Sequence, residues 1–116
     1  MFDFKVSDKK QKAGSSGGLY DVLVIGGGAA GLAAAIYTAR DRLKTLVLDK
    51  EAAGGLAATT ELIENYPGFP DGVSGSNLMD LFREQAEGFG AEIEEFEEVT
   101  EVEPVRKGLN RVHTTD

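Results

Sequence analysis

Four apolar residues running into a glycine turn constrain this chain more than anything else in it. Val22-Leu23-Val24-Ile25 is a β-branched, apolar run long enough for one buried strand. Gly26-Gly27-Gly28-Ala29-Ala30-Gly31 follows at once, and an alanine-rich segment to about Arg42 has strong helix propensity. A second apolar run, Leu46-Val47-Leu48, ends in Asp49. Residues 19–50 therefore read as strand, turn, helix and strand, with Gly26, Gly28 and Gly31 at G-x-G-x-x-G spacing.

Each glycine in that spacing has a physical task. Gly26 lets the chain turn sharply out of the strand. Gly28 lets backbone N–H groups approach a pyrophosphate, and Gly31 lets helix and strand pack closely. The helix N-terminus adds unpaired donors and the positive end of the macrodipole, which favour an anion. Asp49, at the end of the second strand, is placed to accept hydrogen bonds from ribose hydroxyls. Ile36 and Tyr37 add bulk to the alanine-rich helix and read as packing residues.

Composition narrows the possibilities. The 116 residues suffice for one small domain. There is no cysteine, which excludes a disulfide framework, a thiolate metal site and thiol redox chemistry by this chain. Twenty acids against twelve bases give a net charge of −8, which argues against nucleic acid or an anionic membrane as partner. No apolar run is long enough for a transmembrane helix, and the charged first residues do not form a signal peptide. The expected location is cytoplasmic. Seven glutamates and no base fall in residues 92–103, and they read as solvated strand edges.

The rest of the chain gives further expectations. Phe2, Phe4 and Val6 alternate with polar residues as in a short strand, in an arm of residues 1–18 that ends in a flexible linker. The arm is expected to be partly disordered or to dock Phe2 and Phe4 on a neighbouring surface. Residues 51–70 form a long glycine-containing connection that can fold over the carboxyl end of the sheet, where α/β sheets bind ligands. Gly54-Gly55 allows close approach there, and Thr59, Thr60 and Asn65 are neutral polar groups able to orient a heterocycle. Ser74 or Ser76 can cap a helix over 76–88, which Gly88 or Gly90 ends. Leu78, Leu81, Phe82 and Phe89 share one face of it and read as core. Strands are expected over 91–95 and 98–103, with Pro104 interrupting before a hairpin turn at Lys107-Gly108 into 110–114. His113, the single histidine, has no second ligand type with which to build a zinc site or triad and reads as a surface strand residue.

Residues 25–31 (IGGGAAG), Leu48-Asp49-Lys50, Gly54-Gly55 and residues 63–69 (IENYPGF) occur in this order and spacing. Together they resemble the N-terminal part of a thioredoxin reductase of the low-molecular-weight bacterial and archaeal type, from about Tyr20 onward. The resemblance implies a partial FAD-binding domain over residues 19–116. Its α/β, Rossmann-like fold would have a mostly parallel, incomplete sheet and a C-terminal β-hairpin. It implies FAD as cofactor. The pyrophosphate would lie at Gly26, Gly28, Ala29, Ala30 and Gly31, and the adenosine ribose at Asp49 and Lys50. The flavin side would lie at Gly54, Gly55, Leu56, Thr60 and Asn65, and adenine at the backbone of Val99. Many members have Gln where this chain has Leu56, which can offer only its backbone. Members are much longer and carry a C-x-x-C pair and an NAD(P)H domain, so the chain is expected to be the first piece of such an enzyme. The implied partners are the remainder of the flavoenzyme or a self-associated copy, and thioredoxin for the complete enzyme. The residues also leave open a stand-alone nucleotide-binding module and an NAD(P)-dependent dehydrogenase domain.

Overall fold

The computed structural model describes residues 1–6 and 18–115, with side chains from Met1 to Asp3 and from Gly18 onward. Residues 7–17, which include all but the last residue of the expected linker over 13–18, lie outside the described residues, as does the side chain of Phe4.

The chain forms two sheets and two helices. Strand β1 (Phe2–Val6) is followed by β2 (Leu19–Tyr20), β3 (Val22–Ile25), α1 (Ala29–Arg40) and β4 (Thr45–Leu48). A 3-10 turn (Gly55–Thr59), α2 (Gly75–Gly88), β5 (Glu92–Glu94), β6 (Val99–Arg106) and β7 (Leu109–Thr114) complete it. The first sheet is parallel, in the order β3-β4-β5, with Leu23 beside Leu46, Val24 beside Val47 and Val47 beside Ile93. All four residues of β4 are buried, because this central strand is covered on both faces. On one face Val47 meets Ala35 and Ala39 of α1, Ala86 of α2 and Ala91. Alanine at these positions lets both helices lie close to the sheet and to each other. On the other face Leu46 and Leu48 pack with Tyr20 and Val112, and Phe2, Leu23 and Val99 flank them.

That second face is covered by the other sheet, of order β2-β1-β7-β6. β6 and β7 form the expected hairpin, turning at Gly108 with φ +81°. β1 inserts between β2 and β7, antiparallel to the first and parallel to the second. Its placement is reinforced by the Met1 amino group donating to the Gly108 carbonyl at 3.0 Å and by an Asp3–Arg111 ion pair at 3.2 Å. Phe2 thus docks on the core, one of the two expected fates of the arm.

Several local expectations need correction. Pro104 does not interrupt its strand: β6 runs through it, on a sheet edge where no N–H is required, with the register shifting between Pro104 and Arg106. Leu81 and Phe89 are exposed, while Met79 and Ala86 join Leu78 in the buried stripe of α2. α2 lies against α1 and the 3-10 turn, so its buried arc is rotated from the one its largest residues suggest. Tyr37 is 73% exposed and packs little. The glutamates of 92–103 are not simply solvated. Glu92 accepts from the buried Tyr20 hydroxyl, Glu95 pairs with Arg83, and Glu103 bonds His113 at 2.9 Å.

Candidate functional site

The glycine turn sits where β3 ends and α1 begins. Gly26 leaves the strand at φ +103°, a conformation that side chains disfavour, while its N–H still bonds the Leu48 carbonyl at 2.8 Å. Gly31 lies in the first turn of α1, directly against that strand end. A Cβ on it would stand 1.9 Å from the Gly26 carbonyl oxygen. Gly28 is the opposite case. It is extended, at φ −78° and ψ −169°, and a Cβ on it would meet nothing within 4 Å. Its missing side chain leaves open space over the helix start rather than relieving a contact.

The two helix starts differ in the same sense. At α2 the Ser74 hydroxyl accepts from the Asn77 N–H at 3.2 Å. At α1 no side chain caps the terminus and no acid lies in the first turn. The first N–H groups of α1 are therefore available to an anion arriving over Gly28.

Asp49 braces this turn. One carboxylate oxygen accepts the Gly27 N–H at 2.7 Å and the other the Glu51 N–H at 2.8 Å. Its backbone carbonyl accepts the Glu97 N–H at 2.8 Å. The carboxylate thus ties the first glycine turn to the chain leaving β4, and each oxygen keeps a lone pair for a further donor. The second glycine pair is seated on the first. Gly54 donates to the Gly27 carbonyl at 2.7 Å, and a Cβ on Gly55 would come within 3.1 Å of the Gly28 Cα.

The approach of Gly54 and Gly55 is held from behind. The Ala53 N–H donates to Glu95 Oε2 at 2.7 Å, and Arg83 Nη1 of α2 meets Glu95 Oε1 at 2.6 Å. The Ala53 hydrogen bond, and secondarily Arg83, hold the Glu95 carboxyl below the usual glutamate range. Phe96, the next residue, is held at φ +59°. A bulky residue rarely adopts that conformation.

Beside the turn lies a cavity of about 460 Å³. Ile25, Gly26, Leu48, Asp49, Lys50 and Glu51 form one wall, Gly55, Leu56 and Thr59 a second, and Glu97, Glu98 and Val99 a third. Of the residues singled out in the sequence it brings together Gly26, Asp49, Lys50, Gly55, Leu56, Thr59 and Val99. Gly28, Ala29, Ala30 and Gly31 adjoin it in the turn, and Gly54 lies buried behind Gly55. Leu56 is 88% exposed, free of any packing role. Thr60 and Asn65, which the resemblance puts at the flavin side, do not line this cavity. The Thr60 carbonyl accepts the Gly75 N–H at 2.8 Å, which ties the end of the 3-10 turn to α2. Asn65 lies in the exposed segment 64–70, where the Tyr66 ring meets Phe82 of α2 at a tilt of 59° and 5.7 Å between ring centroids. Glu51, Glu97 and Glu98 were not singled out. Glu51 stands two residues after Asp49 and could have been suspected, but the other two reach the cavity only because β5 pairs with β4.

A glycine turn between a parallel strand and an uncapped helix, braced by the acid that ends the next strand, defines a dinucleotide-binding α/β domain. The sequence profile of the pyridine nucleotide-disulphide oxidoreductases matches residues 20–116, and the chain belongs to that family. Within it the chain resembles thioredoxin reductases. It is 55% identical to the thioredoxin reductase of Aquifex aeolicus (strain VF5) over 74 residues, 64% of this chain and 23% of the relative. It is 51% identical to that of Mycolicibacterium smegmatis over 75 residues, 65% of this chain and 24% of the relative. Among solved structures, T. acidophilum thioredoxin reductase superposes with a TM-score of 0.76 at 41% identity, covering 84% of this chain and 31% of that one. The chain thus spans about a quarter of the length of the relatives it matches. No helix among the described residues is long and apolar enough to cross a membrane.

Proposed function

We propose that this chain binds FAD, as the N-terminal FAD-binding part of a thioredoxin-disulfide reductase. The observation that carries the reading is the open space above Gly28, at an α1 terminus that no side chain caps. A pyrophosphate there would meet N–H donors without displacing any protein group. The adenosine end would enter the cavity, its ribose hydroxyls donating to the free lone pairs of Asp49 and its adenine lying along the backbone of Val99. The isoalloxazine would extend past Gly54 and Gly55, where Leu56 can contribute its backbone. The residues present fit such a ligand: the glycines leave room for it, and the acid is already oriented by two N–H groups.

Bound FAD would supply two-electron transfer between a reduced donor and a disulfide. This chain's residues bind and orient it. With no cysteine in the sequence they exchange no disulfide themselves. The cysteine pair, the pyridine nucleotide site and the contact with thioredoxin would belong to the remainder of the enzyme, or to a partner that supplies it, in the cytoplasm. A stand-alone nucleotide-binding module would use the same cradle without the redox step.

The test is an absorbance spectrum after mixing with FAD and removing the excess. A retained flavin band at about 450 nm is expected. Gly28→Val should abolish it while the far-ultraviolet circular dichroism stays unchanged, because its side chain enters open space rather than the protein. Undiminished flavin retention in that variant refutes the cradle.

A further inference from the structure

We propose, on the reading that the isoalloxazine of FAD passes Gly54 and Gly55, that Arg83 is a positioning residue for it, acting through Glu95. Arg83 is not among the residues that line the cavity. Its Nη1 meets Glu95 Oε1 at 2.6 Å, and the other oxygen of that carboxylate accepts the Ala53 N–H at 2.7 Å. The next residue, Gly54, donates to the Gly27 carbonyl at 2.7 Å. A relay of hydrogen bonds thus leads from the middle of α2 to the first glycine turn.

The relay holds the beginning of the segment 53–60. The end of that segment is seated separately, at the start of α2. There the Thr60 carbonyl accepts the Gly75 N–H at 2.8 Å, and a Cβ on Gly75 would stand 1.8 Å from the Ala57 carbonyl oxygen. At the beginning, Gly54 and Gly55 stand at φ +125° and +61° and have no side chains to anchor them. The hydrogen bonds of Ala53 and Gly54 set their place instead.

The chain bends sharply to aim Glu95. Phe96, directly after it, is held at φ +59° with its ring 70% exposed, so packing of the ring does not explain the turn. Strain of this kind persists where the surroundings fix it. Here the Phe96 N–H donates to the Glu51 carbonyl at 3.3 Å and the Glu97 N–H to the Asp49 carbonyl at 2.8 Å. Those two bonds tie the turn to the chain leaving β4 while Glu95 reaches Ala53 and Arg83. The Arg83 side chain is 36% exposed on the surface of α2, so its replacement leaves the core intact.

Titration calorimetry with FAD and with ADP tests the inference. The two ligands share the ADP part, so the ratio of their affinities isolates the flavin end. The wild-type chain should bind FAD the more tightly. Arg83→Met should weaken FAD binding by about tenfold, the order of one hydrogen bond to a charged group. ADP is held by the first turn and Asp49, away from the relay, and should weaken by less than about threefold. Arg83→Lys keeps a cation able to meet Glu95 and should restore FAD binding to within about threefold of wild type. Glu87→Gln removes the other partner of Arg83, which meets Nε at 2.7 Å on the exposed side, and should change neither affinity. Unchanged FAD binding in Arg83→Met, equal losses of FAD and ADP, a loss that Arg83→Lys does not restore, or an equal loss in Glu87→Gln each overturn the role of Arg83 while nucleotide binding stands. If the wild-type chain binds ADP as tightly as FAD, the second glycine pair does not hold the flavin end and the role of Arg83 is overturned. If it binds neither, the FAD reading itself fails and the role falls with it.

Discussion

Gly31→Ala adds one methyl group at the point where α1 meets the end of β3. The new Cβ would stand 1.9 Å from the Gly26 carbonyl oxygen and 3.1 Å from both the Gly26 carbonyl carbon and Val24 Cγ1. A relaxed contact of this kind is about 3.5 Å, so helix and strand must separate by about 1.5 Å. The obstacle is backbone and cannot rotate aside. The cost therefore belongs near the top of the overpacking range, about 3 kcal/mol. Alanine returns about 1 kcal/mol of helix propensity. The net loss of about 2 kcal/mol should lower the urea midpoint by roughly 1 M and the melting temperature by roughly 10 °C. Gly28→Ala is the control. It places the same methyl group in open space at an allowed backbone conformation and should cost less than about 1 kcal/mol, the preference for glycine over alanine at an N-cap. Equilibrium urea unfolding followed by circular dichroism measures both. A Gly31→Ala midpoint at or above that of the wild type would show that helix propensity, not close approach, governs the position.

Three further outcomes follow from the packing and the hydrogen bonds. Asp49→Asn keeps one acceptor oxygen and turns an N–H-bearing amide toward Gly27 or Glu51, so stability should fall by about 1–3 kcal/mol, read as a lower urea midpoint; an unchanged midpoint would show that the brace contributes nothing. Leu46→Ala, at a site 1% exposed, should cost about 2–5 kcal/mol, whereas Leu56→Ala should stay within about 0.5 kcal/mol; similar losses in the two variants would contradict the core assignment. Glu95 is held below its ordinary range by the Ala53 N–H and Arg83, so its contribution is complete above the unfolded value. That contribution is lost as pH falls through the folded value, and urea midpoints measured from about pH 5 to pH 3 should decline more steeply in the wild type than in Glu95→Gln. Parallel slopes would remove Glu95 as the group that ties the Gly54-Gly55 approach to α2.

Much of the site was legible because its requirements are local. A glycine at 26 answers to a backbone angle and a glycine at 31 to a contact only five residues away. The run 22–25 and the alanines after it declare strand and helix through side-chain type alone. The hairpin at Lys107-Gly108 and the Ser74 cap were readable for the same reason. Composition does not say which way the connection after Gly54-Gly55 turns. Residues 55–59 wind into a 3-10 turn beside Gly28. Residues 61–74 double back on themselves, with Ile63 and Val73 pairing across the connection.

The amino-acid sequence by itself determined the strand–turn–helix–strand unit and the acid that ends it, because hydrophobic period, glycine geometry and helix propensity act between residues close in the chain. Tertiary structure decided what the glutamates do. In sequence, residues 92–98 are one acidic stretch. Pairing of β5 with β4 sends Glu95 to Arg83 and Ala53 and brings Glu97 beside Asp49. The two sheets likewise decided that Phe2 joins the core and that Pro104 stays in an edge strand. A carboxylate's role depends on the donors and charges around it, and here those arrive from residues 12 and 42 positions away.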